Sequence, residues 1–278
     1  MTSQHKLFPR LLAVCADDYG LSPGVSAGIA QLARARRITA VSCLTNTPDW
    51  EQSAPVLTEL PTSVAIGLHI NLTEGRPLSP ELGAVWPSFP SLPTLMARAH
   101  LGLLPHAAIQ REIQVQWTSF VAHVGRRPQF VDGHQHVHHF PGVRTAMLNT
   151  LDEMQARPAV RSAARLIGPG HAFKRWVIRQ SGARKLASVL RERKLDTNSA
   201  LLGVYDFRAT DYRSLMQAWM SALPEPGGLL FCHPGLGGET SASDHPGEAR
   251  QREFDYLSGE HFMEDLASTN VALVRAWP

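Results

Sequence analysis

Residues 132–139 read Asp-Gly-His-Gln-His-Val-His-His, which places four of the chain's thirteen histidines within six positions. Neutral imidazole is the commonest metal-donor side chain. In an extended backbone alternate residues share a face, so this spacing predicts that His134, His136 and His138 project the same way. The plain alternative is a solvated loop that happens to be histidine-rich. What favours ligation is that acidic and imidazole residues recur at the ends of other apolar runs. Asp17 and Asp18 follow Leu11–Ala16, His69 follows Val64–Leu68, Asp132 and His134 follow Phe130–Val131, and His233 follows Leu229–Cys232.

Such a set suits metal-assisted hydrolysis. One carboxylate and two imidazoles hold a divalent ion with positions left for water and substrate. A second carboxylate takes the water's proton, and a histidine on the far side protonates a departing amine. Adjacent aspartates fit this division, because successive strand-end side chains diverge and one can ligate while its neighbour acts as base. Their mutual repulsion would raise one pKa unless a cation neutralises it. Each piece is weak alone. Asp-Asp-Tyr-Gly could be a turn with a helix N-cap, His69 a hydrogen-bonded core histidine, and His233 before Pro234 a strand end.

These residues need elements that bring them together across more than 200 positions. Short β-type runs at 11–16, 39–45, 64–70, 130–134, 160–167, 228–233 and 271–275 alternate with helical patterns at 25–37, 50–60, 109–124 and 143–155. Repeated β-then-α order predicts a parallel sheet with helical crossovers. Closure into an irregular TIM-like (β/α) barrel fits the length, and an open doubly wound sheet is the alternative. In both, strand C-termini converge on the face that holds the site. Residues 76–106 carry six prolines between Pro77 and Pro105 without a clean period, and 168–198 is a basic helical excursion opened by Gly168-Pro169-Gly170. Both read as lid-like insertions in one α/β domain spanning 1–278.

The 278 residues are 44% hydrophobic with a net charge of +3. The basic residues at Arg34–Arg37 and Arg184–Lys194 recur at helical spacing without interleaved aromatics, so they read as solvated helix faces and no nucleic-acid partner is expected. Cys15, Cys43 and Cys232 form an odd set without CxxC, which predicts buried free thiols rather than disulfides. No apolar run approaches a membrane span, and Leu11–Ala16 is too short for a signal-peptide core, so a cytoplasmic location with no membrane partner is expected.

Four blocks together resemble the signatures of the YdjC-like carbohydrate deacetylases, also called the ChbG/HpnK family. They are Ala16-Asp17-Asp18-Tyr19-Gly20, Gly67–Gly75, Asp132–His138 and Cys232-His233-Pro234-Gly235, in the family's order across residues 13–235. The resemblance implies an irregular (β/α) barrel, one divalent metal ion and removal of acetyl groups from N-acetylated sugars with release of acetate. Carried over by position, Asp18, His69 and His134 match the metal ligands, Asp17 the general base and His233 the general acid. His136 and His138 match histidines that line the site, supporting the ligands or touching substrate. Asp132 could orient a ligand imidazole. Arg161 falls near a family arginine that orients the base, although its surroundings lack the usual proline. Tyr19 replaces the more frequent phenylalanine. The His-Gln-His-Val-His block is closer to the general sugar deacetylases than to the hopanoid-associated branch.

The expected activity is therefore N-deacetylation of a chito-oligosaccharide-like sugar by a hydrolase using magnesium or zinc, with manganese or cobalt as further candidates. Rival readings are a metal-dependent hydrolase of another ester or phosphoester, a non-haem iron oxygenase, or a non-catalytic metal- or carbohydrate-binding homologue. The strand–helix alternation speaks against the oxygenase, and retention of Asp17 and His233 against the non-catalytic reading. Exposed apolar patches in the insertions could support a homodimer.

Overall fold

The computed structural model describes residues 8–225, 227–237 and 246–277; the basic N-terminal stretch 1–7 lies outside them. β1 (Arg10–Tyr19) is followed by α1 (Pro23–Arg34), β2 (Ala40–Cys43), α2 (Trp50–Ser53) running into a 3-10 turn at Ala54–Glu59, and β3 (Ala65–Ile70). α3 (Pro80–Gly83), α4 (Leu92–His100) and the long α5 (His106–Val124) lead to β4 (Phe130–Gly133) and a 3-10 turn at His134–His139. α6 (Val143–Glu153) and β5 (Ala159–Val160) come next, then α7 (Ala172–Ile178), a π turn at Arg179–Ala183 and α8 (Arg184–Glu192). β6 (Leu201–Leu202), α9 (Tyr212–Ala222), β7 (Gly228–Cys232), α10 (Ala249–Ser258), α11 (Glu260–Ser268) and β8 (Val271–Leu273) complete the chain. α1 shows the local logic: Ser22 caps its first turn by accepting from the Val25 N–H, Pro23 needs no partner there, and Val25, Ile29, Leu32 and Ala33 bury one face.

Every strand pair is parallel, in the order β5-β4-β3-β2-β1-β7-β6. β8 pairs with Arg10–Leu12, on the edge of β1 that further along receives β2. The sheet curls until its two ends meet. The segment after β5 reaches β6, where Ile167 N–H donates to the Leu201 carbonyl at 3.0 Å and Leu201 N–H to that of Arg165 at 2.9 Å. Along this seam the Asn198 amide stands in for strand backbone, accepting from Ser162 N–H at 2.8 Å and donating to Ser162 C=O at 2.9 Å. The expected barrel is thus present and irregular, and the strand expected over 160–167 shrinks to Ala159–Val160 plus one bridge at Leu166. The helix expected over 50–60 is likewise a single α turn continued as 3-10. β6, α9, α10 and α11 had no counterpart in the sequence reading. Among the described residues no helix is long and apolar enough to cross a membrane, and the three cysteines are free and buried.

Strand alternation builds two cores. Leu12, Val14 and Ala16 of β1, Val41 of β2, Ile66 and Leu68 of β3, Val131 of β4 and Leu230 of β7 face the helices. Ala13, Cys15, Ala40, Ala65, Phe130, Ala159, Leu201, Leu229 and Phe231 face the barrel interior. The interior is narrow, so small residues dominate it. Trp277 fills the remaining space, stacked on Phe130 with ring centroids 4.3 Å apart and only 5% exposed. Phe130 in turn lies across β3, where a Cβ on Gly67 would meet its ring at 2.6 Å. Gly67 is therefore required by this crossing. The stack makes one prediction: Trp277→Ala should lower unfolding free energy by about 3–5 kcal/mol in equilibrium denaturation. A loss below about 1 kcal/mol would show that the barrel floor closes without it.

Candidate active site

The inward positions next above this floor carry polar groups: Asp17 on β1, Ser42 on β2, His69 on β3, Asp132 on β4, Arg161 just after β5 and His233 just after β7. Strand parity aims them all at one point at the C-terminal end of the barrel. Asp18 should by parity face outward with Ala16. Instead its φ is 71°, and the β1–β2 register shifts between Ala16 and Tyr19. This left-handed residue, a conformation aspartate tolerates better than most, turns the second carboxylate inward beside the first.

Asp18, fully buried, faces both expected imidazole partners. Its Oδ1 lies 3.4 Å from His69 Nε2 and 2.9 Å from His134 Nδ1. One donor atom from each of the three lies within 4.8 Å of the others, a group that could hold a metal ion. The other nitrogen of His69 is already committed: Nδ1–H donates to Asp132 Oδ1 at 2.6 Å, and the Ser42 hydroxyl donates to the same oxygen at 2.6 Å. Asp132 thus orients the imidazole so that Nε2 faces the Asp18 carboxylate, the support that metal-bound histidines use. Two imidazole nitrogens and one carboxylate oxygen fit a divalent ion, zinc and its neighbours as well as magnesium or manganese.

Asp17 is held separately. Arg161, fully buried, donates from Nη1 to Asp17 Oδ2 and from Nη2 to Asp17 Oδ1, each at 2.6 Å. The same Nη2 sits 2.6 Å from Asp132 Oδ2, an ion pair without hydrogen-bond alignment, and 3.0 Å from Cys15 Sγ. Cys15, Asp17 and Asp132 are close enough to form a second ligand group, but the guanidinium already serves as their cation, and burial pushes the Cys15 thiol up. Despite burial, Arg161 and His69 hold the Asp132 carboxyl well below the usual carboxylate range. Asp18 is held low in the same way by His134 and by Arg250, whose Nη2 donates to Asp18 Oδ2 at 2.8 Å.

The histidine block departs from the expected geometry. His134–His139 is a tight turn in which Gln135 and His136 are left-handed, with φ of 52° and 62°, so its three alternate histidines do not share a face. His134 reaches Asp18. His136 lines the cavity, edge-on to Phe231 at 5.3 Å. His138 is buried behind the site, where its Nε2 pairs with the Arg161 carbonyl at 2.9 Å. His138 therefore supports the arginine from its backbone side and does not face the cavity.

That cavity, of about 580 Å³, is lined by Asp17, Asp18, His69, His134 and His233. Leu92 from the first insertion and Lys174 and Ile178 from the second line it. The Gly203–Arg208 segment, which sequence reading passed over, supplies much of the rest. There Phe207 stands edge-on to the His233 ring at 5.2 Å, and Lys174 Nζ lies 4.9 Å over the Phe207 ring. Burial holds His233 down to about 4. Ser42 and Arg250 were also missed. Ser42 carries a signal, being a polar residue at an inward position of an apolar strand. Arg250 sits in the charge-rich run Ala249-Arg250-Gln251-Arg252-Glu253, where nothing in the sequence separates a buried charge from a solvated one.

The metal group makes a pH prediction. Burial pulls His69 down, but Asp132, Asp18 and Asp17 together raise it to about 10. At neutral pH its ring is therefore charged when no ion is bound, and an ion on Nε2 must displace a proton. The neutral fraction grows as pH rises toward that value, so ion affinity should climb about tenfold per unit from roughly pH 6 to 8. Calorimetry in buffers of different ionisation enthalpy should register about one proton released per zinc or cobalt ion. Affinity independent of pH would mean the ring is neutral beforehand.

The model of the YdjC-like protein family matches residues 11–268. A chitooligosaccharide deacetylase of Enterobacter sp. (strain 638) is 37% identical over 141 residues, 48% of this chain and 52% of that protein. A carbohydrate deacetylase of Mus musculus is 34% identical over 190 residues, 63% of this chain and 61% of its own length. The chain thus spans about half to three fifths of the length of these curated relatives. The crystal structure of an Enterococcus faecalis V583 protein named for cellobiose-phosphate cleavage has a TM-score of 0.73 and 18% identity, covering 96% of this chain and 98% of that one. This likeness establishes the fold. With the family match running from the first strand to the last helix, the chain belongs to the YdjC-like protein family.

Proposed function

We propose that this chain is a metal-dependent carbohydrate deacetylase that hydrolyses the acetamido group of an N-acetylated, chito-oligosaccharide-like sugar and releases acetate. One observation carries the reading. Two neighbouring carboxylates are divided between two roles: Asp18 faces two imidazoles, whereas Asp17 is pinned by a buried arginine and still lines the cavity. Simple ion storage has no use for the second carboxylate or for a further histidine lining the same cavity. The names of the two relatives support the same reaction.

In this reading Asp18, His69 and His134 hold the ion, which supplies Lewis acidity toward water and the amide carbonyl. Asp17 takes a proton from the attacking water, and its bidentate contact with Arg161 keeps the carboxylate aimed at the reacting centre. The water oxygen bonds to the acetyl carbon, the carbon–nitrogen bond breaks, and the sugar nitrogen takes a proton from His233. The His233 ring rests neutral because it is buried. It therefore takes up a solvent proton in the turnover complex and passes that proton to the leaving amine, while Asp17 afterwards returns the water's proton to solvent. Phe207 and Phe231 border that ring and limit its exposure to solvent.

The test is acetate release from N-acetylated chito-oligosaccharides, using chelator-stripped protein with zinc, magnesium, manganese or cobalt added back. Release restored by metal is expected, and no release from any such sugar would discard the substrate class. Asp17→Asn should retain ion binding but lose at least about 100-fold in kcat. A near-normal rate in that variant would rule out Asp17 as the base.

A further inference from the structure

His233 is the first residue after β7, precedes Pro234 and lines the cavity, so something must hold it. α10 does so from three sides. Glu253, fully buried, accepts the His233 backbone N–H at Oε2, 2.5 Å away, and the Tyr205 hydroxyl at Oε1. Arg250, one turn earlier and 3% exposed, donates from Nη1 to the His233 carbonyl at 3.3 Å while its Nη2 donates to Asp18. The Arg250 carbonyl accepts from Gly235 N–H at 3.1 Å. Both peptide groups of His233 are therefore gripped by side chains three residues apart on one helix, which share a helix face. Tyr205 extends the grip into the cavity wall, since its ring packs edge-on against Phe207, the ring that borders His233.

We propose that Arg250 and Glu253 form a backbone clamp that positions His233 against the reacting nitrogen, with Glu253 acting as a positioning residue that also ties the Gly203–Arg208 wall to the same point. This rests on the reading of His233 as the proton donor. The geometry has a clear function in that role. A donor must sit within hydrogen-bond reach of the nitrogen, and a shift of about 1 Å can cost about 100-fold in rate. A β strand ends at Cys232, so no ladder bonds fix the next residue; the clamp supplies them from side chains. Burial raises the Glu253 carboxyl to about 7. An uncharged group of the same shape can keep both contacts, because an amide oxygen accepts the His233 N–H and the amide NH₂ donates to the Tyr205 oxygen.

The experiment compares Glu253→Leu, which removes both contacts, with Glu253→Gln, which keeps them. Three quantities are read: acetate-release kinetics, zinc stoichiometry, and the ring NMR resonances of His233, assigned with His233→Asn. For Glu253→Leu we expect kcat to fall at least about tenfold with KM within about twofold, one zinc still bound, and the His233 resonances shifted. Glu253→Gln should return to within about threefold of the original kcat with the resonances restored. A leucine variant within about twofold of the original kcat overturns the clamp, as does a glutamine variant as impaired as leucine. If the leucine variant does not fold, Tyr205→Phe, which deprives Oε1 of its donor, takes its place, and unmoved His233 resonances overturn the proposal. If the unaltered protein releases no acetate from any sugar, the reaction reading fails on its own, while the resonances still decide whether Glu253 sets the position of His233.

Discussion

One buried guanidinium organises the centre of this molecule. Arg161 is fully buried and faces two carboxylates, Asp17 and Asp132, at 2.6 Å each. Charges buried without a partner are costly, and removing one member of such a group typically costs about 3–5 kcal/mol. The three therefore stand or fall together. Because Arg161 neutralises Asp132, that carboxylate can remain ionised in the interior and orient His69. Because it binds Asp17 through both oxygens, that carboxylate stays apart from the Asp18, His69 and His134 group. The same residue begins the seam where the barrel closes, so fold closure and site assembly coincide.

The second constraint is the pleat. Parallel strands of small interior residues aim every other side chain at a common axis, and at the C-terminal ends those positions hold Asp17, Ser42, His69 and Asp132. Alternation alone would have turned Asp18 away. A single left-handed residue and a one-place slip in the β1–β2 register bring it back. Local backbone strain of this kind costs about 1–3 kcal/mol and persists only where the surroundings hold it. Here four groups do so: His69, His134 and Arg250 contact the Asp18 carboxylate, and Ser26 accepts the following turn at the Gly20 N–H.

The cavity shows a different balance. Asp17, Asp18, His69 and His233 come from strand ends, while Gly203–Arg208 and α7 supply much of the remaining lining. Those segments are joined by contacts such as Lys174 Nζ to the Tyr205 carbonyl at 2.6 Å. The Gly203–Arg208 segment is tied to the strand-end residues, because the Tyr205 hydroxyl and the His233 backbone N–H share the Glu253 carboxylate.

The strand ends and the residue types placed on them were legible in the amino-acid order. Short continuous apolar runs identified β1, β2, β3, β4 and β7, and acidic or imidazole residues directly after four of them marked Asp17, Asp18, His69, Asp132 and His233. Those signals are local, because an apolar run and its termination depend on neighbours along the chain. Tertiary structure alone decided the rest. Alternation assumed an extended backbone at 134–139, but the turn there sends His134 to Asp18 and His138 to the back of Arg161. The short strand β6, the Asn198 seam and the α10 residues Arg250 and Glu253 leave no periodic trace. Each depends on a partner distant in sequence, and a charged residue on a helix reads the same whether water or a buried carboxylate awaits it.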